Sequence, residues 1–96
     1  MTDSVPRILL IDDDEDSFVI TRGLLARTGK SNFELDWVGS FDTGLAALLQ
    51  GRHVACLLDY RLGARNGLEL LGQAVAAGCR VPIIMMTGQD DHQTDL

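Results

Sequence analysis

Acidic side chains stand directly after two apolar runs in this sequence. The run 8–11 is followed by five consecutive acidic residues that begin with Asp12 and Asp13, and the run 54–58 is followed by Asp59. If both runs are parallel strands of one sheet, their carboxyl ends lie at the same edge and these carboxylates meet there. Carboxylate oxygens bind hard divalent cations, and a carboxylate can also act as a nucleophile. The pattern therefore predicts a cation site beside a reactive aspartate.

The elements that would position these carboxylates alternate along the chain. Apolar runs of strand length are separated by longer segments with helical periodicity, which is typical of a parallel α/β sheet. The first, third and fourth runs are continuously apolar, as expected for strands covered on both faces, whereas the second is mixed and is predicted at a sheet edge. The predicted strands are 7–11, 35–39, 54–58 and 82–86.

Capping residues mark the ends of the helices between these strands. A first helix is predicted over 15–27 with Asp14 as its N-cap, and a second is predicted to begin after Ser40 and to stop at Gly51. A third should begin near Asn66 and Gly67 and stop at Gly78. The expected apolar faces are Ile20, Leu24 and Leu25 in the first helix, Leu45, Leu48 and Leu49 in the second, and Leu68, Leu71 and Val75 in the third.

The length and composition limit the class of protein. Ninety-six residues allow one domain, and a net charge of −6 argues against direct binding to nucleic acid. No run approaches the length of a membrane span, and the start lacks a signal-peptide pattern, so we expect a cytoplasmic protein without a membrane partner. Cys56 and Cys79 lack the spacing of metal ligands and are predicted to be buried or half-buried free thiols.

Four of these features, in this order and at compatible spacing, resemble the receiver domain of two-component response regulators. They are the pair Asp12 and Asp13, the strand-ending Asp59, Gly67 eight residues later, and Thr87 at the end of the fourth strand. The resemblance covers essentially the whole chain. It implies a flavodoxin-like α/β fold with a parallel sheet of strand order 2-1-3-4.

The same resemblance implies a regulatory function rather than an enzymatic one. In the family, the residue at the position of Asp59 accepts a phosphoryl group from a phosphohistidine on a histidine kinase or a phosphotransfer protein. Mg²⁺ would be held by Asp12, Asp13, Asp59 and the backbone carbonyl of Arg61. The Thr87 hydroxyl would donate a hydrogen bond to the phosphoryl group, and the phosphorylated state would switch an attached output domain.

Two departures from the family pattern stand out. The family has a fifth strand that ends in a lysine and a fifth helix, about 30 residues in all, so residues 1–96 are expected to be a receiver domain that is incomplete at its C-terminus. Lys30, the only lysine, cannot take that role. An uncovered fourth strand would offer an edge for self-association, and the output domain is expected to lie outside this chain. Leu62 and Gly63 also stand where many members have Met-Pro.

Two other functions remain open at this point. A phosphohydrolase of the haloacid-dehalogenase type would use Asp12 as its nucleophile together with Asp14 and Thr87, but this leaves Asp59 without a role. A receiver-like docking module that is never phosphorylated would have the same fold without needing Mg²⁺. The remaining polar and aromatic candidates are expected to be structural: His53 and His92 as surface histidines, and Trp37 and Phe41 as packing residues.

Overall fold

The computed structural model describes residues 5–27 and 33–86, which form a parallel sheet with helices on both faces. Within these residues, no helix has both the length and the apolar character that a membrane span requires. The strands are β1 (Arg7–Ile11), β2 (Glu34–Val38), β3 (Ala55–Asp59), β4 (Arg61–Leu62), β5 (Arg65–Asn66) and β6 (Ile83–Met86), and the helices are α1 (Glu15–Arg27), α2 (Phe41–Leu49) and α3 (Gly67–Ala76).

The main sheet has four parallel strands in the order β2-β1-β3-β6. With β6 as the fourth predicted strand, this is the predicted order 2-1-3-4, and β2 lies at an edge as expected. In the central pair, Ile11 of β1 is level with Leu58 of β3. This register brings the residues that follow β1 next to the last residue of β3, and thus confirms that the acidic clusters share one edge of the sheet.

No strand or helix was predicted between Asp59 and Asn66, but this segment forms a short hairpin. The two-residue strands β4 and β5 pair in antiparallel fashion, with Leu62 opposite Arg65. Gly63 begins the two-residue turn with φ of +66°, a left-handed conformation that glycine adopts without strain. Leu62 is almost fully buried in the main core. The hairpin therefore anchors the chain immediately after Asp59.

The main core lies between the sheet and the helices α2 and α3. It contains alternate residues of the central strands and one face of each of these helices. Both cysteines belong to this layer as free thiols, Cys56 buried and Cys79 half-buried, which confirms their prediction. Its fully buried residues include Leu9, Ile11, Cys56 and Leu58 from the strands and Leu70 and Ala74 from α3.

The predicted apolar face of α1 is wrong. Ile20 and Leu24 are 61% and 58% exposed, and only Leu25 is half-buried. The helix is rotated so that Phe18 lies toward the sheet, where its ring stacks on Trp37 of β2. The aliphatic spacing identified the helix correctly but not its orientation, because an aromatic contact with an edge strand determines which side faces inward.

The predicted face of α2 needs a small correction, whereas that of α3 is wrong for two of its three residues. In α2, Leu48 is buried and Leu45 packs against the core, but Leu49 is 45% exposed. In α3 the buried residues are Gly67, Leu70 and Ala74, with Leu71 beside them, whereas Leu68 and Val75 are 56% and 62% exposed. Glycines share these inward faces with leucines, because a Cβ at Gly44 or Gly67 would lie within 3 Å of an atom of β1 or β3.

The predicted caps are confirmed. The Asp14 side chain accepts a hydrogen bond from the Asp16 amide, and Ser40 accepts one from the Thr43 amide. Asn66 caps α3 in the same way. The helices α2 and α3 are followed by Gly51 and Gly78, both with positive φ. A side-chain acceptor satisfies one free amide at the start of each helix, and glycine allows the chain to turn after α2 and α3.

His53 is buried and not on the surface as predicted. Its Nε2 lies 2.8 Å from the Asp36 carboxylate, which also pairs with the Arg7 guanidinium through two contacts of 3.1 Å. Burial raises the pKa of Asp36, but the hydrogen bonds from His53 and Arg7, together with their charges, outweigh it and hold the pKa below its usual value. The network joins β1, β2 and the start of β3. His92 lies outside the described residues.

Two helix glycines should respond oppositely to substitution with alanine. A Cβ on Gly44 of α2 would lie 2.8 Å from the fully buried side chain of Ile11, whereas one on Gly72 of α3 would meet no atom within 4 Å. We expect Gly44→Ala to lower the free energy of unfolding by about 1–2 kcal/mol through overpacking, and Gly72→Ala to raise it by up to about 1 kcal/mol through helix propensity. Urea denaturation of both variants tests this, and equal stabilisation would contradict the close packing of α2 on β1.

Candidate functional site

Three aspartates converge at the carboxyl edge of the sheet. Asp12 and Asp13 follow β1, and Asp59 is the last residue of the adjacent strand β3. Each contributes a carboxylate oxygen to a group whose members all lie within 4.8 Å of one another. The structure thus brings together the three side chains that the sequence predicted as metal ligands.

Asp12 is the most buried of the three. It is only 4% exposed, and its amide donates to the carbonyl of Val38 at 3.1 Å. Its carbonyl accepts a hydrogen bond of 2.7 Å from Nε1 of Trp37. Its carboxylate accepts another from the Asp14 amide through Oδ1. One such bond leaves most of the lone pairs of the Asp12 carboxylate available to a ligand.

Asp13 is exposed and is tied to the hairpin that follows Asp59. Its Oδ2 accepts a hydrogen bond of 2.9 Å from the Gly63 amide. Proline at position 63, as in many members of the family, would have no amide hydrogen to donate. The sequence singled out Gly63 only as a departure from a motif. Its contact with Asp13 could not be anticipated because the two residues are distant in sequence.

Asp59 has an unusual electrostatic environment. Burial, followed by the nearby charge of Asp12 and then that of Asp13, raises its pKa to about 6. Backbone hydrogen bonds from Arg61 and Tyr60 favour the ionised form and partly oppose this rise. A partly buried carboxylate crowded by two others retains its proton at a higher pH than an isolated aspartate.

The donor set fits a hard divalent cation such as Mg²⁺. All three candidate ligands are carboxylates, and a cation among them would compensate the repulsion that raises the pKa of Asp59. Mg²⁺ favours oxygen ligands and usually retains several waters, so three carboxylates are a sufficient protein contribution. The arrangement can therefore bind a cation next to a partly buried nucleophile.

Three further residues were singled out at or near the site: Arg61, Gly67 and Thr87. Arg61 begins β4, two residues after Asp59. The role of its backbone carbonyl as a cation ligand stays a prediction. Thr87 lies outside the described residues. A Cβ at Gly67 would lie 2.5 Å from the backbone carbonyl of Asp59, so glycine is required there for α3 to begin close to the end of β3. Gly67 is thus a structural residue at the beginning of α3.

Known proteins are similar to this chain in both sequence and structure. The family model described as "Response regulator receiver domain" matches residues 8–96. The transcriptional regulatory protein QseB of Haemophilus influenzae is 38% identical over 84 residues, which are 88% of this chain and 37% of that protein. The chain thus spans little more than a third of this relative.

Solved structures agree with the sequence comparison. A CheY-like response regulator receiver domain protein from Methanospirillum hungatei is 31% identical, with a TM-score of 0.69 over 88% of this chain and 66% of that one. The MaeR response regulator, at 22% identity, matches the fold with a TM-score of 0.76 over 93% of this chain and 72% of its own. Together with the flavodoxin-like sheet and the family match over residues 8–96, these similarities show that the chain belongs to the response regulator receiver domain family of two-component systems.

Proposed function

We propose that this chain accepts a phosphoryl group on Asp59 from a phosphohistidine of a histidine kinase or a phosphotransfer protein. The observation that carries the proposal is the position of Asp59, a partly buried carboxylate with a raised pKa, within 4.8 Å of two further carboxylates. An isolated aspartate at the end of a strand has no need of such neighbours. A phosphoacceptor needs them to hold the cation that phosphoryl transfer requires.

The transfer step is a substitution at phosphorus. A carboxylate oxygen of Asp59 forms a bond to the phosphorus atom while the bond between phosphorus and the donor imidazole nitrogen breaks. The electron pair of the broken bond stays on the imidazole nitrogen, and Asp59 becomes an acyl phosphate. With a pKa of about 6, Asp59 is mostly ionised at neutral pH and can act as the nucleophile without a general base.

Mg²⁺ is the proposed cofactor, held by Asp12, Asp13, Asp59 and the backbone carbonyl of Arg61. When bound, it supplies positive charge that offsets the negative charge of the phosphoryl group. Hydrogen bonds within the chain hold the ligand residues in position. Asp12 is fixed by its bonds to β2, and Asp13 by its bond to Gly63.

The signal is proposed to pass to an output domain beyond this chain, with the Thr87 hydroxyl as the donor to the phosphoryl group. The relative QseB is named as a transcriptional regulatory protein, so an output that controls transcription is the form we favour. The phosphohydrolase alternative is less well supported because Asp14 caps α1 and its side chain bonds the Asp16 amide. Binding of Mg²⁺ separates the phosphoacceptor from a docking module.

Phosphorylation can be tested by intact-mass measurement after incubation with Mg²⁺ and acetyl phosphate. We expect one phosphoryl adduct on the unsubstituted chain. Asp59→Asn should form none because it lacks the nucleophilic oxygen, and chelation of Mg²⁺ should abolish the adduct because phosphoryl transfer requires the cation. Asp42→Asn is a matched control, since the side chain of Asp42 is 91% exposed and outside the acidic group. It should form the adduct normally. An unmodified wild-type chain, or an adduct that persists in Asp59→Asn, would refute Asp59 as the acceptor.

The affinity for Mg²⁺ should fall as the pH falls through about 6. The raised pKa of Asp59 means that protons compete with the cation in this range. By calorimetric titration, the affinity at pH 5 should be about tenfold weaker than at pH 7.5. Asp59→Asn should bind more weakly at pH 7.5 and show less change. A pH-independent affinity of the wild-type chain would be inconsistent with Asp59 as a ligand.

The raised pKa of Asp59 also makes the free energy of unfolding of the cation-free chain depend on pH. Because the pKa of Asp59 is higher in the folded chain than the ordinary 3.8, the folded state binds the proton more tightly. Its ionised form thus destabilises the fold above about pH 6, and this penalty disappears as the pH falls toward 4. After allowance for partial exposure, Asp59→Asn should raise the free energy of unfolding by about 1 kcal/mol at pH 7.5. Urea denaturation at pH 7.5 and pH 4.5 should show this gain only at the higher pH.

A further inference from the structure

Both backbone polar groups of Asp12 are bonded to the edge strand β2. The amide of Asp12 donates to the carbonyl of Val38 at 3.1 Å, which continues the pairing of β1 with β2. The carbonyl of Asp12 accepts from the indole Nε1 of Trp37 at 2.7 Å. This is at the short end of the range for an N–H···O hydrogen bond. It is made by a side chain and not by the regular pairing of strands.

The indole of Trp37 is itself held in place. Its ring stacks on that of Phe18 in α1, with centroids 5.6 Å apart and an angle of 21° between the planes. The guanidinium of Arg22 lies 5.6 Å from the centroid of the same Phe18 ring. Because the stack restricts rotation of the indole, the N–H keeps one direction relative to β1. The indole, although 37% of Trp37 is exposed, therefore directs its N–H at the chain where it leaves the sheet.

We propose that Trp37 is a positioning residue for the cation site, an inference that rests on the proposed function. The Asp12 carbonyl belongs to the planar peptide group that joins Asp12 to Asp13. Its orientation therefore determines the direction in which Asp13 leaves the strand, and with it where both carboxylates point. Trp37 sets that orientation without contributing a ligand atom.

The physical need for such an anchor comes from the charges. Three carboxylates whose oxygens lie within 4.8 Å repel one another, and a loop held loosely would let them separate. Mg²⁺ demands near-ideal octahedral geometry, so ligands that must first be drawn together bind it more weakly. The indole N–H holds the loop in the convergent arrangement before the cation arrives, as partners of ligand residues commonly do.

The test is calorimetric titration of Mg²⁺ into the 96-residue chain and its Trp37→Phe variant. Phenylalanine keeps an aromatic ring beside Phe18 but has no N–H to donate to Asp12. We expect binding to be about tenfold weaker, as for loss of other partners that orient ligand residues. A second variant replaces the indole with its benzothiophene isostere, in which sulfur takes the place of the N–H. It removes the donor with little change of shape and should weaken binding to the same extent.

A matched control separates positioning from loss of stability. Leu35 lies two residues before Trp37, on the same face of β2, and is half-buried. Leu35→Ala should lower the free energy of unfolding but change the Mg²⁺ affinity by less than about twofold, because the hydrogen bond from the Trp37 indole to the Asp12 carbonyl remains. Urea denaturation of each variant establishes how much stability has been lost.

The outcomes distinguish the two proposals. Wild-type affinity for Mg²⁺ in both Trp37 variants would overturn the positioning role and leave the proposed function standing. An equal loss of affinity in Leu35→Ala and Trp37→Phe would also overturn it, since general weakening of β2 would then suffice. If the unsubstituted chain bound no Mg²⁺, the proposed function itself would fail, and the role of Trp37 with it.

Discussion

The mutual repulsion of three carboxylates is the constraint on which the rest of this structure depends. Asp12, Asp13 and Asp59 present oxygens within 4.8 Å of one another, and the pKa of Asp59 rises to about 6 as a consequence of burial and of the two neighbouring charges. Such an arrangement is unfavourable without a cation. It persists because the backbone that holds each carboxylate is bonded elsewhere.

These supports come from three different parts of the fold. In the edge strand β2, the carbonyl of Val38 accepts a hydrogen bond from the amide of Asp12, and the indole N–H of Trp37 donates one to the carbonyl of Asp12. The hairpin after β3 bonds the Asp13 carboxylate through Gly63. At the start of α3, the absence of a side chain on Gly67 allows the helix to approach the carbonyl of Asp59. The strand β2 thus holds Asp12 through its backbone, whereas the hairpin holds Asp13 through one carboxylate oxygen. Each of the three aspartates still offers a carboxylate oxygen to a cation.

Much of the fold could be predicted because its signals are local. Continuous apolar runs marked the strands of the main sheet, and residues such as Ser40 and Gly51 marked helix ends, so the three helices, these four strands and their order were predicted correctly. The hairpin of β4 and β5 was not predicted. Helix orientation was predicted poorly. In α1, the stack of Phe18 on Trp37 overrides the aliphatic spacing and leaves Ile20 exposed. Spacing records which residues share a face, whereas contacts with other elements decide which face is covered.

The sequence by itself determined the chemistry of the site, because carboxylates placed directly after parallel strands must meet at one edge of the sheet. It also determined the family, through the order and spacing of those residues. Only the tertiary structure decided how the carboxylates are held. The bonds from Trp37 to Asp12 and from Gly63 to Asp13 span 25 and 50 residues. No local pattern encodes such contacts, since they form only when β2 and the hairpin pack beside the end of β1.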